Sequence, residues 1–283
     1  MKKKETADLL SPFLSWSARE AAIAAVTLFG SRVRETVARA DSWSDVDVQV
    51  VTTRPDVFAT RTWTSIFQGH ELLAYAVRPA SGGVTKVTAV FQAGQEIDVV
   101  VVPTRRLHIA RAAVALGLHR RLPGVARRLN ELATVMQAGH RVLKGGKRWE
   151  NFYARIVAEI RGTRLDDTEA IALAEEFFCD WHWVRQKLER GEFVAAQRVL
   201  HRSLAEINFR LLHEIRLRAG EPSFREARRV EKLVSSEQLV AISIEARLEA
   251  ASLRNAADKC AASFRSLMQG LVGGAWRWPE VES

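Results

Sequence analysis

The hydrophobic pattern of this 283-residue chain changes once, at Pro103, and that change limits the folds open to it. Up to Pro103 the apolar residues fall in short, β-branched runs at 26–29, 46–52, 73–78, 85–91 and 97–102. Runs of that length and composition suit strands. The turn residues Ala80-Ser81-Gly82-Gly83 separate two of them as in a hairpin. Helical spacing precedes the first run over residues 5–25, follows Gly30-Ser31 over 32–40, and recurs over 62–67. Beyond Pro103 the β-branched runs give way to apolar residues at intervals of three and four, over 106–119, 126–137 and later windows up to Met268. That is the pattern of a helical bundle. Breaks are expected at Pro123-Gly124, Gly139, Gly145-Gly146, Gly162-Thr163, Gly191 and Gly220-Glu221-Pro222, with Gly220 before Pro222 a firmer helix end than Gly191. The expected fold is α+β, with a mixed sheet and flanking helices over residues 1–104 and an all-helical domain over 105–283.

Within the first part, one constellation carries chemistry. The first apolar run ends in Gly30-Ser31-Arg32, and thirteen residues after Ser31 comes Ser44-Asp45-Val46-Asp47-Val48. Glycine has no Cβ to hold backbone away from a phosphate. Asp45 and Asp47, two apart on a strand, share one face. Two carboxylates so placed repel unless a cation lies between them, and a hard divalent ion such as Mg²⁺ prefers oxygen ligands. A third acid is expected to complete such a site, and Asp98 is the best candidate. It opens the apolar run that ends at Pro103, with Glu96 on the same face. Each fragment alone is commonplace; their order and spacing together are not.

Gly30-Ser31, Asp45-Val46-Asp47 and Asp98 together resemble the nucleotidyltransferase superfamily that includes DNA polymerase β. The similarity is closest to the aminoglycoside nucleotidyltransferases of the streptomycin 6-adenylyltransferase type. It extends to residues 63–67, Leu72-Leu73, the segment 90–98 and Arg141-Val142-Leu143-Lys144, and more weakly to Phe177-Phe178 and Arg190-Gly191-Glu192. The resemblance implies transfer of a nucleoside monophosphate, AMP by analogy, from an NTP such as ATP to a hydroxyl, with release of pyrophosphate. It implies that Asp45, Asp47 and Asp98 are the catalytic and metal-binding residues, holding two Mg²⁺ ions, with Asp98 as third ligand or as general base. Gly30, Ser31, Arg32 and Ser44 would bind the nucleotide, and an active cleft would lie between the two domains. Lys144, in Lys144-Gly145-Gly146-Lys147-Arg148, would reach the triphosphate from the helical part; the same cluster reads equally as a solvated loop.

The acceptor is less determined. The formal net charge is +9, and residues 105–164 hold 14 Lys and Arg against 3 Asp and Glu, so this block alone exceeds the whole net charge. Such a surface attracts an anionic partner such as RNA and repels a polycation. Acidic residues at Asp166, Asp167, Glu169, Glu175, Glu176 and Asp180 leave room for a local cation-binding pocket. Three readings therefore stay open: an enzyme acting on a small hydroxylated molecule such as an aminoglycoside-like antibiotic, one acting on RNA or protein, and a non-catalytic nucleotide-binding relative. No apolar run reaches 18 residues and no secretory segment follows Met1-Lys2-Lys3-Lys4, so a cytoplasmic protein is expected. Cys179 and Cys260 are expected as buried, reduced thiols, and Phe177, Phe178, Trp181 and Val184 as core on one helix face.

Overall fold

The computed structural model describes residues 8–34, 39–41, 43–80 and 83–279. It forms two compact units, residues 1–163 and 164–283.

The first unit is built on a six-stranded mixed sheet: β1 (Ile23–Phe29), β2 (Val46–Thr52), β3 (Leu72–Ala80), β4 (Val84–Phe91), β5 (Gln95–Pro103) and β6 (His140–Lys144). The strand order is β3-β4-β5-β2-β1-β6. β2 and β5 run parallel at the centre, and every other pairing is antiparallel. The sheet's two faces are buried in different ways. Val26, Leu28, Val46, Val48, Val50, Ile97, Val99 and Val101 point to one side, where Phe13 of α1 (Leu10–Arg19) and Phe58, Trp63 and Phe67 cover them. On the other face Ala25, Val51 and Val102 meet α2 (Thr104–Ala115), α3 (Pro123–Gln137) and α4 (Lys147–Glu159), whose Leu107, Leu129, Met136, Trp149 and Tyr153 form the second core. Alternation with period two puts the β2 side chains Asp47, Gln49 and Val51 on this second face.

Three expectations are corrected. The sheet does not end at Pro103: His140–Lys144 pairs with β1 as an edge strand, and α2 to α4 pack on the sheet. The compact unit accordingly runs to Thr163 instead of residue 104. A five-residue strand with intermediate burial and a basic composition carries little β signal of its own, which is why pattern alone misses it. Among the described residues the helix expected over 5–25 spans only Leu10–Arg19, because Ile23 already belongs to β1, and residues 5–7 lie outside the described residues. After Gly30 the chain makes only a four-residue 3₁₀ turn, Gly30–Val33. This is too short for a helix-end phosphate site. Residues 35–38, the remainder of the helix expected there, and Ser81-Gly82 of the expected turn lie outside the described residues.

The second unit is helical: α5 (Asp167–Glu189), α6 (Phe193–Val199) running through a π turn into α7 (Ala205–Arg218), α8 (Ser236–Ile242) and α9 (Ala250–Val272). A capping box between Asp166 and Glu169 starts α5. Gly191, at φ +71°, does stand just past its end. The core is the α5 stripe Phe177, Trp181, Val184 and Leu188 against α9, where Phe177 and Phe264 stack with centroids 3.9 Å apart. Cys260 is buried there, but Cys179 is exposed, because its position falls opposite the stripe.

Candidate functional site

The chemistry gathers at one end of the central parallel pair. In register, Phe29 lies opposite Asp47, Asp47 opposite Asp98, and Asp98 opposite Thr88, so one row crosses β1, β2, β5 and β4. Asp45 and Glu96 continue the same face one step beyond, towards the turn that begins at Gly30. Paired residues in a ladder share a face, and this face therefore concentrates four carboxylates.

Among the described residues, the acids that come together are Asp45, Glu96 and Asp98, with one carboxylate oxygen of each within 4.8 Å of the others. Glu96, expected on the face of Asp98, joins the two predicted acids Asp45 and Asp98. Asp47 is buried beside them and turned towards the Gly30 backbone: a Cβ on Gly30 would lie 2.5 Å from Asp47 Oδ2. Gly30 also has φ +80°, so both its backbone conformation and the space it leaves call for glycine. Asp98 is held at both oxygens. Thr88 Oγ1 donates to Oδ1 at 2.5 Å, and Lys86 Nζ pairs with Oδ2 at 2.5 Å. Burial, then the Asp98 and Asp45 charges, raise the pKa of Glu96 above the usual carboxylate value, with Lys86 and Arg78 opposing. Two like charges about 5 Å apart repel by about 3 kcal/mol at an effective dielectric near 20. Lys86 supplies one positive charge against the three clustered carboxylates. One lysine therefore does not balance the cluster, and an all-oxygen donor set of this kind fits a hard cation.

The remaining predicted residues are distributed differently. Arg32 donates from Nε to Asp45 O at 2.8 Å and from Nη2 to Ser44 O at 2.9 Å, clamping the entry to β2. The Ser44 hydroxyl is engaged with Asp41, at 3.0 Å from its carboxylate and its amide. Ser31 stays at the turn beside Gly30, its carbonyl accepting from Ala40 N. Lys144 is carried away from the acids. β6 is antiparallel to β1, so His140 pairs with Phe29 while Lys144 pairs with Val26, three residues or about 10 Å along the strand. Its ammonium donates to the carbonyls of Ser17 and Glu20 at the end of α1. Arg148 sits 3.1 Å from His108 Nε2 and does not turn back to the carboxylates. In the second unit, most of the acids proposed as a cation pocket have structural partners: Asp166 and Glu169 cap α5, Asp167 pairs with Arg218, Glu175 accepts from Trp276 Nε1, and Asp180 accepts from Ser203.

Lys86 and Thr88 are the site residues that sequence reasoning missed. Their strand was legible and their shared face followed from alternation, but only the β4–β5 register shows that this face meets Asp98.

The sheet thus carries the Gly30-Ser31 turn at one strand end and acids on its two central parallel strands. Residues 1–115 match the sequence model of the streptomycin adenylyltransferase family. No curated protein matches the chain. Among solved structures, an aminoglycoside 6-adenyltransferase from Bacillus subtilis aligns at 16% identity and TM-score 0.39, over 95% of this chain and 90% of that one. A nucleotidyltransferase-like protein from Exiguobacterium sibiricum aligns at 12% identity and TM-score 0.36, over 93% and 74%. Likenesses this distant carry no argument about substrate. Among the described residues, no helix is long and apolar enough to cross a membrane.

Proposed function

We propose that this chain is an adenylyltransferase that moves AMP from ATP to a hydroxyl of a small-molecule acceptor. The observation that carries the reading is the convergence of Asp45, Glu96 and Asp98 beside the Gly30-Ser31 turn, inside the segment that matches the family. In the transfer, the acceptor oxygen bonds to the α-phosphorus, the bond to the β-phosphate oxygen breaks, and pyrophosphate leaves. Asp45, Glu96 and Asp98, with Asp47 next to them, would hold Mg²⁺, which when bound compensates the triphosphate charge. The protein's own residues do the rest. Gly30 opens backbone access to the phosphates, and Arg32 fixes the Ser44-Asp45 loop so that Asp45 meets Asp98. Glu96, of intermediate exposure, completes the ligand set at the edge of the cluster. Asp98 has both oxygens engaged and serves as a fixed ligand.

The match of residues 1–115 to the streptomycin adenylyltransferase family supports an aminoglycoside-like acceptor, and with it a role in antibiotic resistance. One observation supports a second reading, in which the acceptor is RNA. Arg105, Arg106, Arg120, Arg121, Arg127 and Arg128 are all exposed along α2, the turn after it and α3. The test incubates purified protein with Mg²⁺ and each labelled NTP against aminoglycosides, tRNA and protein. Pyrophosphate release with ATP that requires an aminoglycoside supports the reading, and release that requires tRNA transfers it to RNA. Silence with every acceptor under saturating Mg²⁺-ATP rejects it.

A further inference from the structure

Resting on that reading, we infer that Lys86 is a positioning residue that acts as an internal stand-in for the metal: it occupies Asp98 when no cation is bound and gives way when one binds. Lys86 and Thr88 lie two apart on β4, on the face that meets the carboxylates. Thr88 lies directly opposite Asp98 and donates to Oδ1, while Lys86 reaches diagonally from opposite Val100 to Oδ2. The two contacts differ in kind. A hydroxyl adds no charge and leaves Oδ1 with acceptor capacity, so Thr88 can orient Asp98 whether or not a cation is present. The ammonium puts a full positive charge on Oδ2 of the carboxylate that joins Asp45 and Glu96 in their cluster. A divalent cation there and Lys86 at 2.5 Å compete for one carboxylate.

A purely structural role explains the placement poorly. Lys86 stands opposite Arg78 in the β3–β4 ladder, and like charges directly opposite each other destabilise a strand pair. Lys86 is about one-third exposed, whereas Asp98 is 96% buried in its side chain, so the ammonium has solvent to retreat into and the carboxylate does not. Without Lys86, the clustered carboxylates would face each other with less compensation in the ion-free chain. With Lys86 fixed in place, a cation would meet one donor already taken. A long flexible side chain at the site's edge meets both requirements.

Two measurements on the full chain test this. Mn²⁺ binding, followed by the loss of its free-ion EPR signal, is expected to be about fivefold tighter in Lys86→Met than in wild type, the factor that corresponds to a lost ion pair of about 1 kcal/mol. Lys86→Arg is expected to restore wild-type affinity, and Asp98→Asn to abolish binding. In wild type, acylation of Lys86 by an activated ester, read by mass spectrometry, is expected to rise on adding Mg²⁺. Equal or weaker Mn²⁺ affinity in Lys86→Met, or Lys86 labelling that ignores saturating Mg²⁺, overturns the inference while leaving the metal site standing. No Mn²⁺ binding by wild type or variant removes the metal site and the inference with it.

Discussion

Replacing Gly30 with alanine strikes the one point where backbone conformation and site geometry depend on the same atom. Two costs are separable. At φ +80° an alanine bears a left-handed penalty of about 1 kcal/mol that glycine escapes. Its Cβ would also stand 2.5 Å from Asp47 Oδ2, closer than real Cβ contacts come, so Asp47 must rotate or β1 and β2 must part. Overpacking of that kind costs about 1–3 kcal/mol. Asp47 is 5% exposed, in a row with Phe29 and Asp98, so it has little room to yield. The expected loss is about 2–4 kcal/mol. A double-mutant cycle tells the two costs apart: in an Asp47→Ala background the contact is gone, and Gly30→Ala should cost only the conformational ~1 kcal/mol. The assay is denaturant unfolding followed by tryptophan fluorescence, in which Trp63 and Trp149 report on this unit. A Gly30→Ala variant as stable as wild type would refute the argument. So would a cost that is the same with and without Asp47.

Asp47→Asn is expected to abolish nucleotide transfer while keeping the fold, and an undiminished thermal shift on adding Mg²⁺-ATP would contradict that. His213 is half-buried in the second unit with its Nδ1 2.6 Å from Ser223 Oγ, and desolvation, then Arg225, pull its pKa below 6.5, with Glu214 opposing. A depressed histidine contributes stability that is present above the unfolded-state value and lost as pH falls through the folded one. The second unit should therefore weaken as pH drops below about 6.5, and His213→Gln should flatten that slope; an unchanged slope would rule the histidine out. Burial pushes the Cys260 thiol up to about 12, whereas Cys179 is exposed. A thiol reagent should modify one cysteine per native chain, at Cys179, and rapid reaction of both would show the α9 core to be open.

Strand identity was legible where composition is extreme. Residues 46–52 read from the pattern as a strand are β2 itself, and the Thr85–Phe91 run sits within β4. Strand pairing was not legible, and the errors follow from it. β6 is short, basic and half-buried, so its contribution to the sheet depends on β1 and leaves no mark on its own residues. The resemblance puts Lys144 at the triphosphate and the charge run reads equally as a solvated loop; antiparallel pairing carries its ammonium to the carbonyls of Ser17 and Glu20 at the end of α1. Asp45, Glu96 and Asp98 were all visible as acids on expected strands. That Glu96, and not Asp47, joins the other two depends on side-chain direction at the Gly30 turn, which sequence spacing does not encode.

The most direct test is a crystal of the full chain grown with Mn²⁺ and a non-hydrolysable ATP analogue, with the metal located by its anomalous signal. The account predicts a peak between Asp45, Glu96 and Asp98, with the triphosphate against the Gly30-Ser31 turn. A peak away from these carboxylates, or none at saturating Mn²⁺, would contradict it.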